Sequence, residues 1–297
     1  MTELSLIVPT TRAWPDARAC LDAVAPQARE LGAQLLVFDG DPAGGALPPD
    51  AATRYPGVER VALPGASVYA LRAASFGHAR GDVFLFTEDH CVPGPGWAAG
   101  HLDAHRRDPG AAVVGGAVAN GARAALSDWA SFLSNHAPWV PPLAGGDAAA
   151  VDRASVSYKR DALPAMWSDA DEVFLDERLR RAGARFVLDG AMVSVHDQSL
   201  GPRRTIAVHF HNARAVTGLR VRAGLRARDR AWRLAATPAA AVVWFVGPLA
   251  TMLRRPRAYP PRAWASLLFL PAISVSLAAG CVAGLTRGPG ASTLELR

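Results

Sequence analysis

A short apolar segment that ends in three potential metal ligands constrains this chain most. Residues 83–86 form a continuous run of β-branched and aromatic residues with turn residues on both sides. A strand that is apolar at every position is typical of a mostly parallel sheet, and such sheets bind ligands beyond the carboxyl ends of their strands. Glu88, Asp89 and His90 follow directly. Carboxylates and an imidazole suit Mn²⁺ or Mg²⁺, so we predict a divalent-cation site; a capped turn with solvated acids is the plainer alternative.

The segments before this strand predict β-α-β units, which are typical of an α/β fold. Apolar runs at 4–8, 34–38 and 58–63 predict strands, and the patterns at 16–31 and 65–78 predict the helices between them. The elements predicted after it are a helix at 97–107, strands at 111–119 and 154–158, a helix at 169–182, and strands at 185–188 and 192–195. Residues 121–150 show no clear pattern and suggest a mobile loop.

Composition limits the class of protein. The 297 residues leave room for one large domain and an appendage, and a hydrophobic fraction of 50% is high enough to indicate a membrane-buried segment. Three widely spaced cysteines imply neither a disulfide framework nor a zinc site. The net charge is +6, but no recognition motif accompanies it, so we expect no nucleic-acid partner. The N-terminus runs straight into a strand, which predicts no signal peptide.

The C-terminal third predicts membrane attachment. Residues 203–233 are rich in arginine, and the uncharged segments 235–253 and 263–286 are each long enough to span a bilayer. Buried core helices are the alternative, but two such neighbours flanked by arginine favour a membrane hairpin. The positive-inside rule then places the basic run and the domain that precedes it in the cytoplasm, at the inner membrane. The four arginines of 254–262 would lie outside, against the rule, unless 235–253 lies in the interface.

The motifs up to about residue 214 resemble the family 2 glycosyltransferases, which have the GT-A fold. Residues 4–10 look like the family's first strand and nucleotide loop, and residues 79–82 before an apolar strand are close to the family pattern. Glu88, Asp89 and His90 stand at the place of the Asp-x-Asp motif, with Glu for the first Asp and His for the last. The resemblance implies an α/β fold of the GT-A class: a Rossmann-like, mostly parallel sheet with flanking helices, followed here by a transmembrane helical hairpin.

The resemblance also implies the roles of individual residues. Those expected to bind the donor are Pro9, Thr10, Arg12, Asp39, Asp41, Arg72, Glu88 and Asp89. Those expected to hold the metal are Glu88, His90 and His196. Those expected on the acceptor side are Ser155, Tyr158 and Trp139. The domains expected are a GT-A domain at 1–215, a basic juxtamembrane helix at 216–234, two transmembrane or membrane-interface helices at 235–287 and a tail at 288–297.

Two adjacent acids resemble the motif that carries the family's catalytic base. Their order is inverted here, as Asp171 followed by Glu172. Spacing back from Gly183 places Glu172 at the base position, with Asp171 as the alternative. Acids at the start of a helix also complement its dipole, so capping explains part of this pattern.

The resemblance implies an inverting, metal-dependent transfer of sugar from a nucleotide-sugar to a hydroxyl or phosphate acceptor, with Mn²⁺ or Mg²⁺ as cofactor. The apolar helices suggest a membrane lipid or lipid-linked acceptor, as in cell-envelope biosynthesis; donor sugar, acceptor and oligomeric state are left open. One alternative is a degenerate transferase domain that serves as a membrane scaffold. Another is a nucleotidyltransferase, which is disfavoured because the loop after the first strand, residues 9–12, is not rich in glycine.

Overall fold

The computed structural model describes residues 3–164 and 168–296 of the chain. They form two compact units. The first, called the sheet unit, comprises Met1–Ala119 and Trp139–Asp197. The second, called the helical unit, comprises Asn120–Pro138 and Gln198–Arg297. The residues predicted to bind donor, metal and acceptor all belong to the sheet unit.

The described residues contain one mixed sheet of nine strands. The strands are β1 Leu4–Thr10, β2 Gln34–Asp39, β3 Val58–Ala62, β4 Val83–Thr87, β5 Cys91–Pro93, β6 Ala111–Asn120, β7 Gly146–Asp147, β8 Ser155–Lys159 and β9 Arg185–His196. Their order is β3-β2-β1-β4-β8-β6-β9-β5, with β7 beside β9. Strands β1 to β4 are parallel, as predicted, whereas β8 is antiparallel to β4 and β6, and β5 and β7 are antiparallel to β9. The parallel part therefore makes up only about half of the sheet.

Eleven α-helices lie in the described residues. They are α1 Trp14–Glu30, α2 Ala51–Arg54, α3 Val68–Ser75, α4 Trp97–Arg107, α5 Leu126–His136, α6 Asp169–Val173, α7 Leu175–Arg181, α8 Gly201–Arg222, α9 Ala227–Arg254, α10 Pro261–Ala265 and α11 Leu270–Arg287. The prediction of a loop at 121–150 was wrong for the part that forms α5. The apolar side chains that had no assigned role there recur at helical spacing, and Trp129, Phe132 and Leu133 are buried on one face.

Alternate residues of β1 and β4 build a core on each face of the sheet. Leu6 and Leu85 point to one face and pack in a cluster with residues of α1 and α4. Ile7, Phe84 and Phe86 point to the other face and pack with residues of α3 and α7. Each such side chain stabilises the fold by roughly 1.5–3 kcal/mol through burial. Because residues of helices cover both faces of these strands, the edge where the strands end is the expected position of a ligand.

Two further sequence predictions differ in detail from the structure. The helix predicted at 169–182 is divided at Phe174 into α6 and α7. The two strands predicted at 185–188 and 192–195 are one continuous strand, β9, since the backbone stays extended through Gly190. A glycine inside a strand marks a close approach of backbone, and a Cβ at Gly190 would collide with the carbonyl of Leu143.

In the helical unit, α8 and α11 run parallel and touch through small residues. Ser276 Oγ donates to the carbonyl of Ile206 at 2.7 Å. A Cβ at Gly280 would collide with the carbonyl of Phe210, and one at Gly284 would meet the carbonyl of Arg214 at 2.6 Å. Each contact joins residues about 70 positions apart, so the two helices stay in register along their length. Helices α9 and α11 are both long and apolar enough to cross a membrane, by length and composition only.

Two buried histidines predict a loss of stability in mild acid. Burial lowers the pKa of His101 to about 3 and that of His105 to about 4, and both rings hydrogen-bond to Ser157 Oγ at 2.9 Å. An unfolded histidine titrates near pH 6.5, so below that pH the unfolded chain binds protons that the folded chain excludes. As the pH decreases from about 6.5 to about 4, we expect the unfolding free energy to decrease by roughly 1.4 kcal/mol per pH unit for each histidine.

Thermal unfolding midpoints measured across this pH range would test the expectation. The double variant His101→Gln, His105→Gln should show a flatter pH dependence than the wild type. The matched control is His78→Gln, at an exposed histidine, which should keep the wild-type slope. An unchanged slope in the double variant would contradict the assignment.

Candidate active site

Strand pairing brings His196 next to Glu88 and His90, from which it is more than 100 positions away in the sequence. Glu88 and His90 belong to the turn between β4 and β5. Strand β5 pairs with β9 so that Cys91 lies opposite His196. The backbone N–H of Asp197 then donates to the carbonyl of His90 at 2.9 Å. His196 therefore stands beside His90, and its role as a metal ligand, which the family resemblance implied, stays a prediction.

The three side chains, called here the metal triad, converge on one point. The Nε2 atoms of His90 and His196 are 3.0 Å apart. Glu88 Oε2 lies 3.1 Å from His90 Nε2 and 3.7 Å from His196 Nε2. Donors about 2.1 Å from a cation in adjacent octahedral positions are about 3 Å apart, so this geometry fits one ion. A carboxylate with two imidazoles suits Mn²⁺ and neighbouring transition metals better than Mg²⁺, which prefers oxygen ligands.

Asp89 orients the triad. His90 Nδ1 lies 2.7 Å from Asp89 Oδ1, which directs the other ring nitrogen, Nε2, toward the triad. Thr10 Oγ1 donates to Asp89 Oδ2 at 2.8 Å, and Arg12 Nε lies 3.9 Å from the same oxygen. Thr10 is the last residue of β1. Because β1 pairs in parallel with β4, the loop that follows β1 lies beside the loop that follows β4.

The charges of this cluster favour a cation. Burial raises the pKa of Asp89, but His90, Arg12 and Thr10 outweigh it, so the carboxyl ionises more readily than usual. Burial lowers the pKa of His90, but the hydrogen bonds and negative charges of Asp89 and Glu88 outweigh this and raise it to about 9. The two carboxylates thus stabilise positive charge at this position.

The loop after β2 lies beside the loop after β1, and Asp39 and Asp41 at the start of this loop both have hydrogen-bond partners. The backbone N–H of Gly40 donates to the carbonyl of Thr10 at 2.8 Å. Asp39 is fully buried, and Arg60 holds its Oδ2 at 2.6 and 2.8 Å. Asp41 Oδ2 accepts from the N–H of Gly45 at 2.8 Å. The structure thus places both predicted donor loops at one sheet edge, with Asp39 fixing the shape of the second.

Glu172 is buried between two arginines. Its side chain is 1% exposed, and Arg72 Nε donates to Oε1 at 2.6 Å. Arg153 pairs with the same oxygen. The other oxygen, Oε2, is buried without a hydrogen-bond partner among the described residues. Arg72, predicted to bind the donor, therefore contacts the predicted base, and the guanidinium lies 4.5 Å from the ring centroid of Phe86.

Sequence reasoning missed Arg153. It lies in the loop before β8, where no motif or periodicity distinguishes it from the many other arginines of the chain. Only its contact with Glu172 gives it a role. Burial and the nearby charge of Arg72 lower the pKa of Arg153, which shows how crowded the positive charge is around this one carboxylate.

Asp171 occupies a capping position. Its carboxylate accepts from the backbone N–H and the hydroxyl of Ser168 at 3.1 and 2.8 Å, while Ser168 Oγ accepts from the N–H of Asp171. This is a capping box at the start of α6. Asp171 also pairs with Arg178. The capping interpretation of the sequence therefore describes Asp171, and Glu172 alone of the two is buried.

Tyr69, in α3, connects the metal triad electrostatically with the Glu172 cluster. Burial and the negative charge of Glu88 raise the pKa of Tyr69 to about 12, while the positive charge of Arg153 opposes the rise. Tyr69 therefore lies within electrostatic reach of both Glu88 and Arg153. The two clusters share one region of the sheet unit.

The three residues predicted on the acceptor side make contacts inside the protein. Ser155 and Tyr158 are fully buried in β8. Ser155 Oγ accepts from Trp97 Nε1 at 2.8 Å, and the Tyr158 hydroxyl donates to Asp176 at 2.9 Å. Trp139 Nε1 donates to the carbonyl of Ala150 at 3.4 Å. Each side chain thus has a structural partner, and the acceptor role stays a prediction.

Comparison with known proteins identifies the class of this domain. Residues 5–142 match the family model described as Glycosyl transferase family 2. With the strand order and the site above, the chain thus carries a family 2 glycosyltransferase domain with the GT-A fold. No curated protein matches the chain.

Solved structures that are similar to this chain include the following three. The mannosyltransferase PcManGT from Pyrobaculum calidifontis, in complex with GDP-Man and Mn²⁺, aligns with a TM-score of 0.53 and 15% identity over 94% of this chain and 87% of that one. A mycobacterial protein aligns at 0.49 and 14% identity, over 73% of each chain. GalNAc-T7 with UDP, GalNAc and Mn²⁺ aligns at 0.47 and 12% identity, over 67% of this chain and 43% of that one.

The hydrogen bond that His90 Nδ1 makes to the Asp89 carboxylate predicts a role for Asp89 in cation affinity. Asp89→Asn should weaken Mn²⁺ binding by about 10- to 100-fold, because His90 loses the carboxylate that orients it. Titration of the purified protein with Mn²⁺, followed by electron paramagnetic resonance, measures this directly. Asp50→Asn removes one exposed acid of the same unit and should leave the affinity unchanged. Equal affinity in both variants would remove Asp89 from the site.

Proposed function

We propose that this protein transfers a sugar from a nucleotide-sugar to an acceptor at a membrane, with inversion at the anomeric carbon and with a divalent cation. The observation that carries the proposal is the convergence of Glu88, His90 and His196 at the open edge of a GT-A sheet. The fold indicates a glycosyl transfer reaction, and the metal triad is the place where a charged donor would bind.

The residues present fit a Mn²⁺ ion. Three donor atoms lie within 4.8 Å of one another, and Asp89 fixes the ring of one of them. A cation bound there would neutralise the diphosphate of the donor and stabilise the charge that develops on it. The structurally similar mannosyltransferase PcManGT, whose structure contains GDP-Man and Mn²⁺, supports this class of donor and cofactor.

The protein's own residues would handle the acceptor proton. Glu172 Oε2 is buried and has no hydrogen-bond partner in the part of the chain that the structure describes, whereas Arg72 and Arg153 hold the other oxygen of the same carboxylate. Oε1 is thus occupied by the two guanidinium groups, and Oε2 would be the atom that acts as general base. The acceptor hydroxyl would lose its proton to Oε2 as its oxygen attacks the anomeric carbon from the side opposite the leaving diphosphate. A single displacement of this kind inverts the configuration.

The loops after β1 and β2 would bind the nucleoside part of the donor. Thr10 and Arg12 connect the first loop to Asp89, and the N–H of Gly40 ties the second loop to the first. Both loops are therefore held next to the metal triad. Arg12 is about one quarter exposed, so its guanidinium is accessible to a phosphate.

The helical unit would place this reaction at the membrane. Helices α9 and α11 pass the length and composition criteria for membrane segments. A lipid or lipid-linked acceptor is the substrate class that such an attachment serves. The excess of arginine near these helices supports a cytoplasmic position for the sheet unit at the inner membrane.

Metal-dependent binding of a donor tests the proposal. The purified full-length protein should show an increase in thermal midpoint with one of a panel of UDP- and GDP-sugars, and only when Mn²⁺ is present. Glu88→Ala and His90→Ala should abolish the increase, whereas Asp50→Asn should keep it. A shift with nucleoside triphosphates alone would favour a nucleotidyltransferase. The lack of any shift in folded protein would favour the scaffold.

Two matched substitutions test which acid is the base. We expect Glu172→Gln to lower the rate of donor hydrolysis by at least about 100-fold, the scale of general base catalysis, while donor binding persists. Asp171→Asn should lower it less than about tenfold, because Asp171 caps a helix. Glu172→Gln leaves two guanidinium groups without a counter-charge, so each variant is assayed well below its own midpoint. The reverse order of effects would assign the base to Asp171.

A further inference from the structure

Almost all of the positive charge excess lies in one segment of the helical unit. Residues 220–287 contain eleven arginines and a single acid, Asp229, for a net charge of +10. The rest of the chain contains 21 basic and 25 acidic residues, for a net charge of −4. The whole chain carries +6, so the excess is confined to the part that also holds α9 and α11. Such a segment attracts anionic surfaces.

Helix α9 exposes an apolar stripe. No charged residue lies between Arg233 and Arg254. Large apolar side chains in and beside this stretch are 61 to 69% exposed: Trp232, Val242, Val243 and Leu253. They recur at multiples of three to four residues, which places them along one side of the helix. A soluble surface rarely leaves so many large apolar groups in water.

Helix α11 adds a second stripe that points away from α8. Val275 and Val282 are exposed, whereas Ile273, Gly280 and Gly284 are buried. The buried side carries the close contacts with α8 described above. Arg230 of α9 donates to the carbonyl of Thr286, so α9 and α11 are neighbours.

The C-terminal tail returns along α8 in a non-helical conformation. Arg214 donates to the carbonyl of Gly288 at 3.2 Å, and His211 Nδ1 lies 3.0 Å from Ser292 Oγ. Arg204 donates to the carbonyl of Glu295 at 2.8 Å. The tail therefore follows ten residues of α8, or about 15 Å, beside the length of α11. The Glu295 side chain is about half exposed.

This packing conflicts with a position across the bilayer. If α11 spanned the membrane, α8 and the tail alongside it would have to enter the hydrocarbon as well. Exposed non-helical backbone is not tolerated there, and Glu295 with Arg204 would place charged groups within it. A position in the plane of the membrane surface avoids both problems.

The arginines at the two ends of α9 lead to the same conclusion. Arg226 and Arg228 precede the apolar stripe and Arg254 and Arg257 follow it, all of them exposed. In a spanning hairpin the two pairs would lie on opposite sides, against the positive-inside rule. In a helix that lies flat, all four reach the phosphates of one leaflet.

We infer that α9 and α11 dock in the plane of an anionic membrane surface, with their apolar stripes at the boundary between headgroups and acyl chains and the flanking arginines on lipid phosphates. The inference rests on the membrane association in the proposed function and specifies its geometry and its lipid class. It selects the interfacial alternative among the two that the sequence allowed.

Labelling with a membrane-impermeant maleimide tests the geometry. The full-length chain carries Cys281→Ser with either Arg257→Cys, in the loop after α9, or Glu30→Cys, at the exposed end of α1. Cys20 and Cys91 are fully buried and should not react. In sealed membrane vesicles prepared from the expression host, maleimide added to one side should label both introduced cysteines, and maleimide on the other side should label neither. Reaction of Arg257→Cys only from the side opposite Glu30→Cys would establish a spanning hairpin and overturn the inference.

Flotation with lipid vesicles tests the lipid class. The purified protein should float with phosphatidylglycerol vesicles, and much less at about 0.5 M salt, which screens the arginines. It should not float with pure phosphatidylcholine. The double variant Val242→Asp, Val243→Asp should lose about tenfold in vesicle binding. Leu126→Asp, at an exposed apolar residue of α5, is the matched control and should bind normally.

Two results would overturn the lipid assignment. Equal binding to both vesicle types would remove the role of charge, and binding to RNA without binding to vesicles would assign the arginines to nucleic acid. The donor-dependent thermal shift, measured in the same preparation, reports on the metal triad alone. Its loss would count against the proposed function, whereas loss of vesicle binding with a normal shift would count only against this inference.

Discussion

The antiparallel pairing of β5 with β9 is the interaction on which the candidate site depends. Strand β5 has only three residues, and β9 brings its last residue opposite the first residue of β5. Without this register, Glu88 and His90 would form an ordinary acidic turn at the end of β4. With it, His196 joins Glu88 and His90 in a group that could hold a metal ion. A shift of one residue would turn the His196 side chain to the other face of the sheet, since side chains alternate along a strand.

Charge compensation explains how the site tolerates so many buried ionisable groups. Glu88 and Asp89 face two imidazoles and Arg12, which leaves room for a cation. Glu172 faces two arginines, and among the described residues its second oxygen has no hydrogen-bond partner. In both clusters the charges are compensated. The first cluster leaves a place for a cation, and the second leaves one carboxylate oxygen available to accept a proton. Those are the two needs of a displacement that expels a diphosphate and removes a proton.

In the helical unit, α8 and α11 pack through close backbone contacts and not through ion pairs like those of the candidate site. Gly280 and Gly284 allow α11 to approach α8 closely, which fixes the two helices side by side. That contact buries one side of α11 and leaves the other side apolar and exposed. Sequence reasoning found the uncharged segments and treated them as a membrane hairpin, without their contacts to α8. The glycine contacts make α11 part of a layer, and a layer with a polar tail on α8 behaves differently from an isolated hairpin.

The sequence alone determined the parallel strands and the loops after β1 and β2, and it predicted the potential metal ligands at the end of β4. These features depend on local patterns: apolar runs, the turn residues that end them, and polar groups that follow. The resemblance to a family extended this to His196 and to Glu172, which no local pattern singles out. Only the tertiary structure revealed Arg153 as the partner of Glu172, the helix α5 in a segment expected to be a loop, and the single long strand β9. It also separated Asp171 from Glu172, since burial and capping depend on which face of a helix meets the rest of the protein. Contacts between residues distant in the chain decide these features, and neither periodicity nor composition records such contacts.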